Sequence, residues 1–170
     1  MATAKKLQFG ELPPRYGFLL NPYPDERLSR CPMCEQKTRQ RKMPLLIHIE
    51  PSDLIALNYT CRYCQECDLL LAHKHEIEHL LTELFHQYDS GVIGNDYLII
   101  GTVEKTTWRE GVEQPKAIDE MLPHTSDFAT YYKELRLTRP GYYRSAQEPP
   151  VMEPPLSQEW TKAKTDSRRN

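Results

Sequence analysis

The chain has 170 residues, a formal net charge of −2 and five cysteines. That length suits one domain, or a metal-stapled subdomain with a companion and a tail. The balance of 24 acidic against 22 basic side chains argues against avid nucleic-acid binding, and the 36 Leu, Ile, Val and Phe side chains allow only a small core.

Residues 1–26 read as an extended N-terminal arm, with Pro13-Pro14, Gly10, Gly17 and Asn21-Pro22-Tyr23-Pro24 as punctuation and Phe18, Leu19 and Leu20 free to dock. Lys5, Lys6, Glu11 and Arg15 interrupt any apolar leader, and no run approaches 18 apolar residues. A cytoplasmic protein with no membrane span is the expectation. Cys31-Pro-Met-Cys34 follows, then the basic run Lys37-Thr-Arg-Gln-Arg-Lys42, read as a loop running up to a strand over residues 44–49. A further strand over residues 57–63 enters Cys61-Arg-Tyr-Cys64-Gln-Glu-Cys67, and residues 68–73 leave it as another.

Residues 74–88 predict a helix, because Ile77, Leu80, Leu81, Leu84, Phe85 and Tyr88 recur along one face. His75, His79 and His86 then point almost opposite, toward water. Ser90 and Gly91 close the helix, and Tyr97-Leu-Ile-Ile-Gly-Thr-Val103 is the strongest strand signal in the chain. Residues 106–111 read as a hairpin partner or loop. Ser126 is expected to cap a helix carrying Phe128, Tyr131, Tyr132 and Leu135, with Lys133 and Arg136 in its last turn. The doubled prolines at 149–150 and 154–155 mark a disordered tail over residues 146–170.

The cysteines carry the chemistry. Two C-x2-C pairs about thirty residues apart match a tetrahedral site closed by thiolates. Cys31, Cys34, Cys64 and Cys67 are the favoured ligands, with Cys61 as the alternate, since spacing alone admits both frames of the second pair. Alternation along the entering strand makes Cys61 a buried thiol in the favoured frame. Disulfides are disfavoured in a reducing compartment, and a redox C-x2-C would need a strand-to-helix context. A ferredoxin-like run would continue to a fourth cysteine and a proline, where this chain has Asp68-Leu-Leu-Leu71. Zn2+ is the expected metal.

On these residues the segment from Arg27 to His73 resembles the zinc-ribbon group of folds, in which two knuckles close β-hairpins around one metal. Together with the elements read above, the expected architecture is α+β: four-cysteine zinc-ribbon hairpins plus a covering amphipathic helix over residues 27–90, a small α/β extension over 91–145, and the tail. The resemblance itself covers residues 27–73. It implies a scaffold and no activity.

Function is weighed between three readings. The first is a non-enzymatic adaptor that docks a protein partner, with a nucleic-acid-handling complex as one setting. The second is direct DNA or RNA binding through Lys37, Arg39, Arg41 and Lys42. The third is a zinc peptidase using His75-Glu76-Ile77-Glu78-His79, a literal H-E-x-x-H. The amphipathic geometry turns those histidines outward, and Thr82 and Phe85 replace the glycine and histidine of a metzincin continuation. His73 is read as a strand-end residue supporting a cysteine from behind. Trp108-Arg109 is an aromatic–basic pair suited to the core or to a contact surface.

Overall fold

The computed structural model describes residues 8–115, 117–132, 144–148, 150–157 and 159–161. Its strands are β1 (Gly17–Asn21), β2 (Arg39–Ile49), β3 (Asp53–Cys64), β4 (Leu69–His73), β5 (Tyr97–Val103), β6 (Thr125–Asp127) and β7 (Thr130–Tyr132). Its helices are α1 (Lys74–Tyr88), α2 (Lys105–Glu113) and α3 (Ile118–Met121). All seven strands form one mixed sheet in the order β6-β5-β2-β3-β4-β1-β7. β1 runs parallel to both β4 and β7, and the remaining pairs are antiparallel.

The two ends of that order, β6 and β7, are separated in sequence only by Phe128 and Ala129. So short a link requires the sheet to curl until its edges approach each other. Two hydrogen bonds fasten the junction: Phe128 N–H donates to the Ile100 carbonyl at 3.1 Å, and Ala129 N–H to the Tyr16 carbonyl at 2.8 Å. The register of β2 against β5 slips between Leu46 and Ile47, a bulge of the kind that bends a sheet. Gly101 is required nearby, because a Cβ there would lie 2.0 Å from the Ser126 carbonyl oxygen.

Curling gives the sheet an inner and an outer face, and strand alternation decides which side chains go where. The inner face collects Met43, Leu45, Ile47 and Ile49 of β2, Tyr59 and Cys61 of β3, Leu70 and Ala72 of β4, and Phe18 of β1. Ile77, Leu81 and Phe85 of α1 pack against them. Fully burying Leu81 or Ile77 contributes about 1.5–3 kcal/mol each. The outer face carries a smaller cluster in which Leu19, Leu69, Leu71 and Cys64 meet Leu28 and Cys31.

This overturns the expected ribbon covered by a helix. The knuckles exist, but their hairpins belong to a single curled seven-stranded sheet that also takes in the N-terminal arm and residues 125–132. The class remains α+β. The 37–42 run is strand from Arg39 onward, where a loop was expected. Residues 106–111, expected as hairpin or loop, lie in α2. The helix expected after Ser126 is replaced by the two strands β6 and β7 as far as Tyr132; its remaining residues, 133–136, lie outside the described residues.

Helix α1 matches the expected span, but its buried stripe is rotated. Ile77, Leu81 and Phe85 are joined inside by Glu78 and Thr82, while Tyr88 is 77% exposed. Glu78 Oε2 accepts from the Tyr97 hydroxyl at 2.7 Å and lies 3.3 Å from Lys74 Nζ. Its Oε1 is buried without a hydrogen-bond partner. Burial, with the Glu78 charge behind it, pushes the Tyr97 hydroxyl far above the ordinary tyrosine range.

The segment expected as a disordered tail instead supplies a core side chain. Trp160 is 5% exposed, its ring lies 6.0 Å from Tyr97 and 6.2 Å from Phe85, and its Nε1 donates to the Asn95 carbonyl at 2.8 Å. The Tyr23 hydroxyl donates to the Met152 carbonyl and Lys74 Nζ to Ser157 Oγ, which completes a strap beside α1. Among the described residues no helix is long and apolar enough to cross a membrane.

Candidate metal centre

The first knuckle is carried on a small turn of its own. Arg30 and Lys37 form an antiparallel bridge, Thr38 N–H donates to the Ser29 carbonyl, and Cys31 N–H donates to the Gln36 carbonyl at 2.8 Å. Pro32 follows Cys31, and Glu35, just past Cys34, takes a left-handed φ of 65°. The second knuckle is the β3–β4 turn, with Cys64 as the last residue of β3 and Cys67 in the turn. Asp68, just past Cys67, takes φ of 50°. The two knuckles therefore share one device: a left-handed residue immediately after the second cysteine reverses the chain and leaves both sulfurs on the same side. Glycine is the usual residue for such a φ, and neither position has one. That substitution hides the device from a sequence reader.

The four Sγ atoms of Cys31, Cys34, Cys64 and Cys67 all lie within 4.8 Å of one another. Cys34 and Cys64 are 3.4 Å apart and Cys31 and Cys67 are 4.0 Å apart. A tetrahedron with metal–sulfur bonds of about 2.3 Å has edges of about 3.8 Å, so the group has the dimensions of a metal site. Met33 N–H donates to Cys31 Sγ at 3.4 Å, support of the kind a thiolate accepts. A backbone hydrogen bond at Gln36 lowers the Cys34 thiol, whereas burial, followed by hydrogen bonds to neighbouring thiols, pushes Cys67 up to about 12. Thiols this close cannot all ionise on their own; a bound cation reverses that balance by drawing off their protons.

Cys61 stands apart. It is fully buried among the inner-face side chains, three residues before Cys64 and so on the opposite side of β3. Burial pushes its thiol up to about 12. Cys61, the alternate ligand, is not in the group.

The other candidate residues are dispersed. Lys37 is in the knuckle loop, while Arg39 and Arg41 alternate with Gln40 and Lys42 along β2 and so point to opposite faces. Arg39 bonds Gln65, and Arg41 lies over the rings of Tyr63 (4.7 Å) and Tyr16 (5.4 Å). The run does not form one basic surface. In the H-E-x-x-H segment, His79 is exposed and held by two carboxylates, Glu159 at 2.8 Å and Glu83 at 3.2 Å. His75, expected to face water, is half-buried, with Nε2 sealed and without a partner. Glu76 accepts from the Tyr59 hydroxyl at 2.7 Å. Among the described residues, no third ligand joins these histidines in a metal-sized group. His73 points away from the cysteines: its Nε2 meets the Glu26 carbonyl at 3.2 Å.

Hydrogen bonding and charge from Glu159, with Glu83 adding to it, raise the His79 pKa. A raised folded-state pKa means that this contact stabilises the fold fully below the ordinary histidine value. The contribution fades as pH rises through the folded value. An NMR titration is expected to place His79 above its unfolded value in the native chain and closer to it in Glu159→Gln. An unchanged titration would mean that the strap does not hold Glu159 against α1.

Comparison with protein-family models, curated proteins and solved structures finds no match to the chain. No family match therefore supports the zinc-ribbon resemblance, and the cysteine geometry stands by itself.

Proposed function

We propose that this chain is a non-enzymatic binding module, stapled by one structural zinc ion, that docks a protein partner. The observation that carries the reading is the four-sulfur group. Four protein thiolates fill a tetrahedral shell and leave no open position for water or substrate, which is the signature of a structural site. Zinc is the ion of this reading because Zn2+, closed-shell and borderline-soft, is held by four thiolates in tetrahedral structural sites. Reduced thiols imply a reducing compartment, consistent with a cytoplasmic setting.

Docking is supported on the far side of β3. There α2 and α3 leave an apolar groove of about 290 Å³ lined by Ile55, Trp108, Val112, Pro115 and Met121. Val112 is 65% exposed and Ile118 is 51% exposed. Apolar side chains clustered around a half-buried tryptophan are the composition of an interface centre.

A photo-crosslinking residue at 112 in the zinc-loaded protein is expected to trap a discrete protein product in cells. The same residue at Leu156, on the opposite strap, is expected to give none. Equal or absent labelling from both positions would remove the docking reading, and purified protein with no zinc would remove the staple.

A further inference from the structure

A second cavity lies where the amino end of α1 meets the outer side of the β2–β3 hairpin. It has a volume of about 510 Å³, within the range of small-molecule sites. Three of its lining residues come from the end of β4 and the start of α1: His73, His75 and Glu76. Opposite them stand Arg62 of β3 and Arg27 of the segment leading to the first knuckle.

The two arginines differ in how they are held. Arg62 is locked along one edge, its Nε donating to Thr38 Oγ1 at 3.0 Å and its Nη2 to the Thr38 carbonyl at 2.8 Å. Thr38 is itself fixed, buried and donating to the Leu28 carbonyl at 2.7 Å. That leaves the Nη1 group of Arg62 without an acceptor among the described residues. Arg27 has no hydrogen bond or ion pair among the described residues. Its guanidinium is therefore an unspent charge on the cavity wall. The one acid in the lining, Glu76, is already engaged: its Oε1 accepts from Tyr59 and lies 3.6 Å from His73 Nδ1.

Helix polarity adds to this. α1 is fifteen residues long and begins at the cavity with no side-chain cap, so its positive end and first N–H groups are not offset by an oxygen ligand from His73. Two guanidiniums, an imidazole and an uncapped helix start converge on one polar space, which is the chemistry of an oxyanion site. Ser29, Gln40 and Thr60 add neutral hydrogen-bonding groups and Pro24 a small apolar surface, and among the described residues no Phe, Tyr or Trp lines the cleft.

We propose that this cleft binds a small phosphate monoester of a hydroxylated, non-aromatic compound such as a sugar. The phosphoryl group sits between Arg27, Arg62 and the start of α1. The hydroxyls face Ser29, Gln40 and Thr60. The proposal stands apart from the cysteine site and from the docking groove, and is tested on the metal-loaded full chain so that a failure here leaves those readings untouched.

Calorimetry at low ionic strength with ribose 5-phosphate, inorganic phosphate and ribose reads the three parts of the claim. Ribose 5-phosphate is expected to bind, phosphate more weakly, and ribose not at all. Equal affinity for phosphate and ribose 5-phosphate would keep the phosphoryl site and overturn the sugar part of the assignment. Arg27→Gln, which breaks no hydrogen bond or ion pair among the described residues, is expected to weaken binding about tenfold or more, the usual loss for one charge-assisted pair. Arg62→Gln is expected to do the same, and Arg109→Gln on α2 to change nothing. Absence of heat with both phosphates, or an unaltered affinity in Arg27→Gln, would overturn the proposal.

Discussion

Stripping the metal with a strong chelator is expected to release residues 27–38 and the β3–β4 turn from the outer face of the sheet, and to lower the melting temperature by well over 10 °C. A structural zinc ion contributes on the order of 10 kcal/mol to folding, more than the outer cluster can replace. That cluster consists of Leu19, Leu28, Leu69 and Leu71 with the cysteines themselves, and Leu28, Cys31 and Cys34 tie the knuckle segment into it. The inner face differs, because it is closed by α1 and by eleven consecutive β2–β3 residue pairs that owe nothing to the metal. Hydrogen exchange should therefore rise first at residues 28–38 and 64–69, and only later in α1. Single serine substitutions at Cys31, Cys34, Cys64 or Cys67 should each lower metal content. Cys61→Ala should keep it whole while costing about 1–2 kcal/mol for the small cavity left in the core. Unchanged exchange and melting after chelation would refute the staple, and loss of metal in Cys61→Ala would refute the ligand set.

Why the grouping of four cysteines was legible and the fold was not follows from the range of each signal. Cys61 and Cys64 are odd and even along one strand, so period-two alternation alone sends one to the core and the other outward. The same local logic found α1 and β5 at their observed ends, since an apolar stripe and a short run rich in β-branched residues need no distant partner to be read. Strand pairing is another matter. Nothing in Gly17–Asn21 states that it will lie parallel to Leu69–His73 on one side and to Thr130–Tyr132 on the other. The sheet edges meet only because two residues join β6 to β7, a constraint visible once the order of all seven strands is known. α2 was obscured because Thr106, Thr107 and Trp108 are weak helix formers. In context Lys105–Glu113 follows directly from β5, with Thr107 buried and Trp108 N–H bonded to the Glu104 carbonyl. The polar cleft had no sequence signal at all, since Arg27, Arg62 and His75 come from three separate segments of the chain.

Replacing Trp160 by alanine is expected to cost about 3–5 kcal/mol, the usual loss for truncating a buried tryptophan, and so to lower the melting temperature by about 10 °C in a chain of this size. The residue lies among paired prolines and polar residues, a composition that ordinarily remains unfolded. A single aromatic anchor outweighs that composition here, because Trp160 fills the space between Phe85 and Tyr97 and finds the Asn95 carbonyl for its Nε1. Trp160→Phe separates the two contributions: it keeps most of the packing and gives up the hydrogen bond, for a loss of about 1 kcal/mol. The alanine variant should do something the phenylalanine variant does not. Tyr97 also donates to the buried Glu78, so removing the ring beside it admits water to a carboxylate whose Oε1 has no partner in the closed form. Exchange of the α1 amides near Glu78 should then accelerate in Trp160→Ala alone. Melting of Trp160→Ala within about 2 °C of the parent would show that the strap merely rests on the surface, and that α1 is held by the sheet without it.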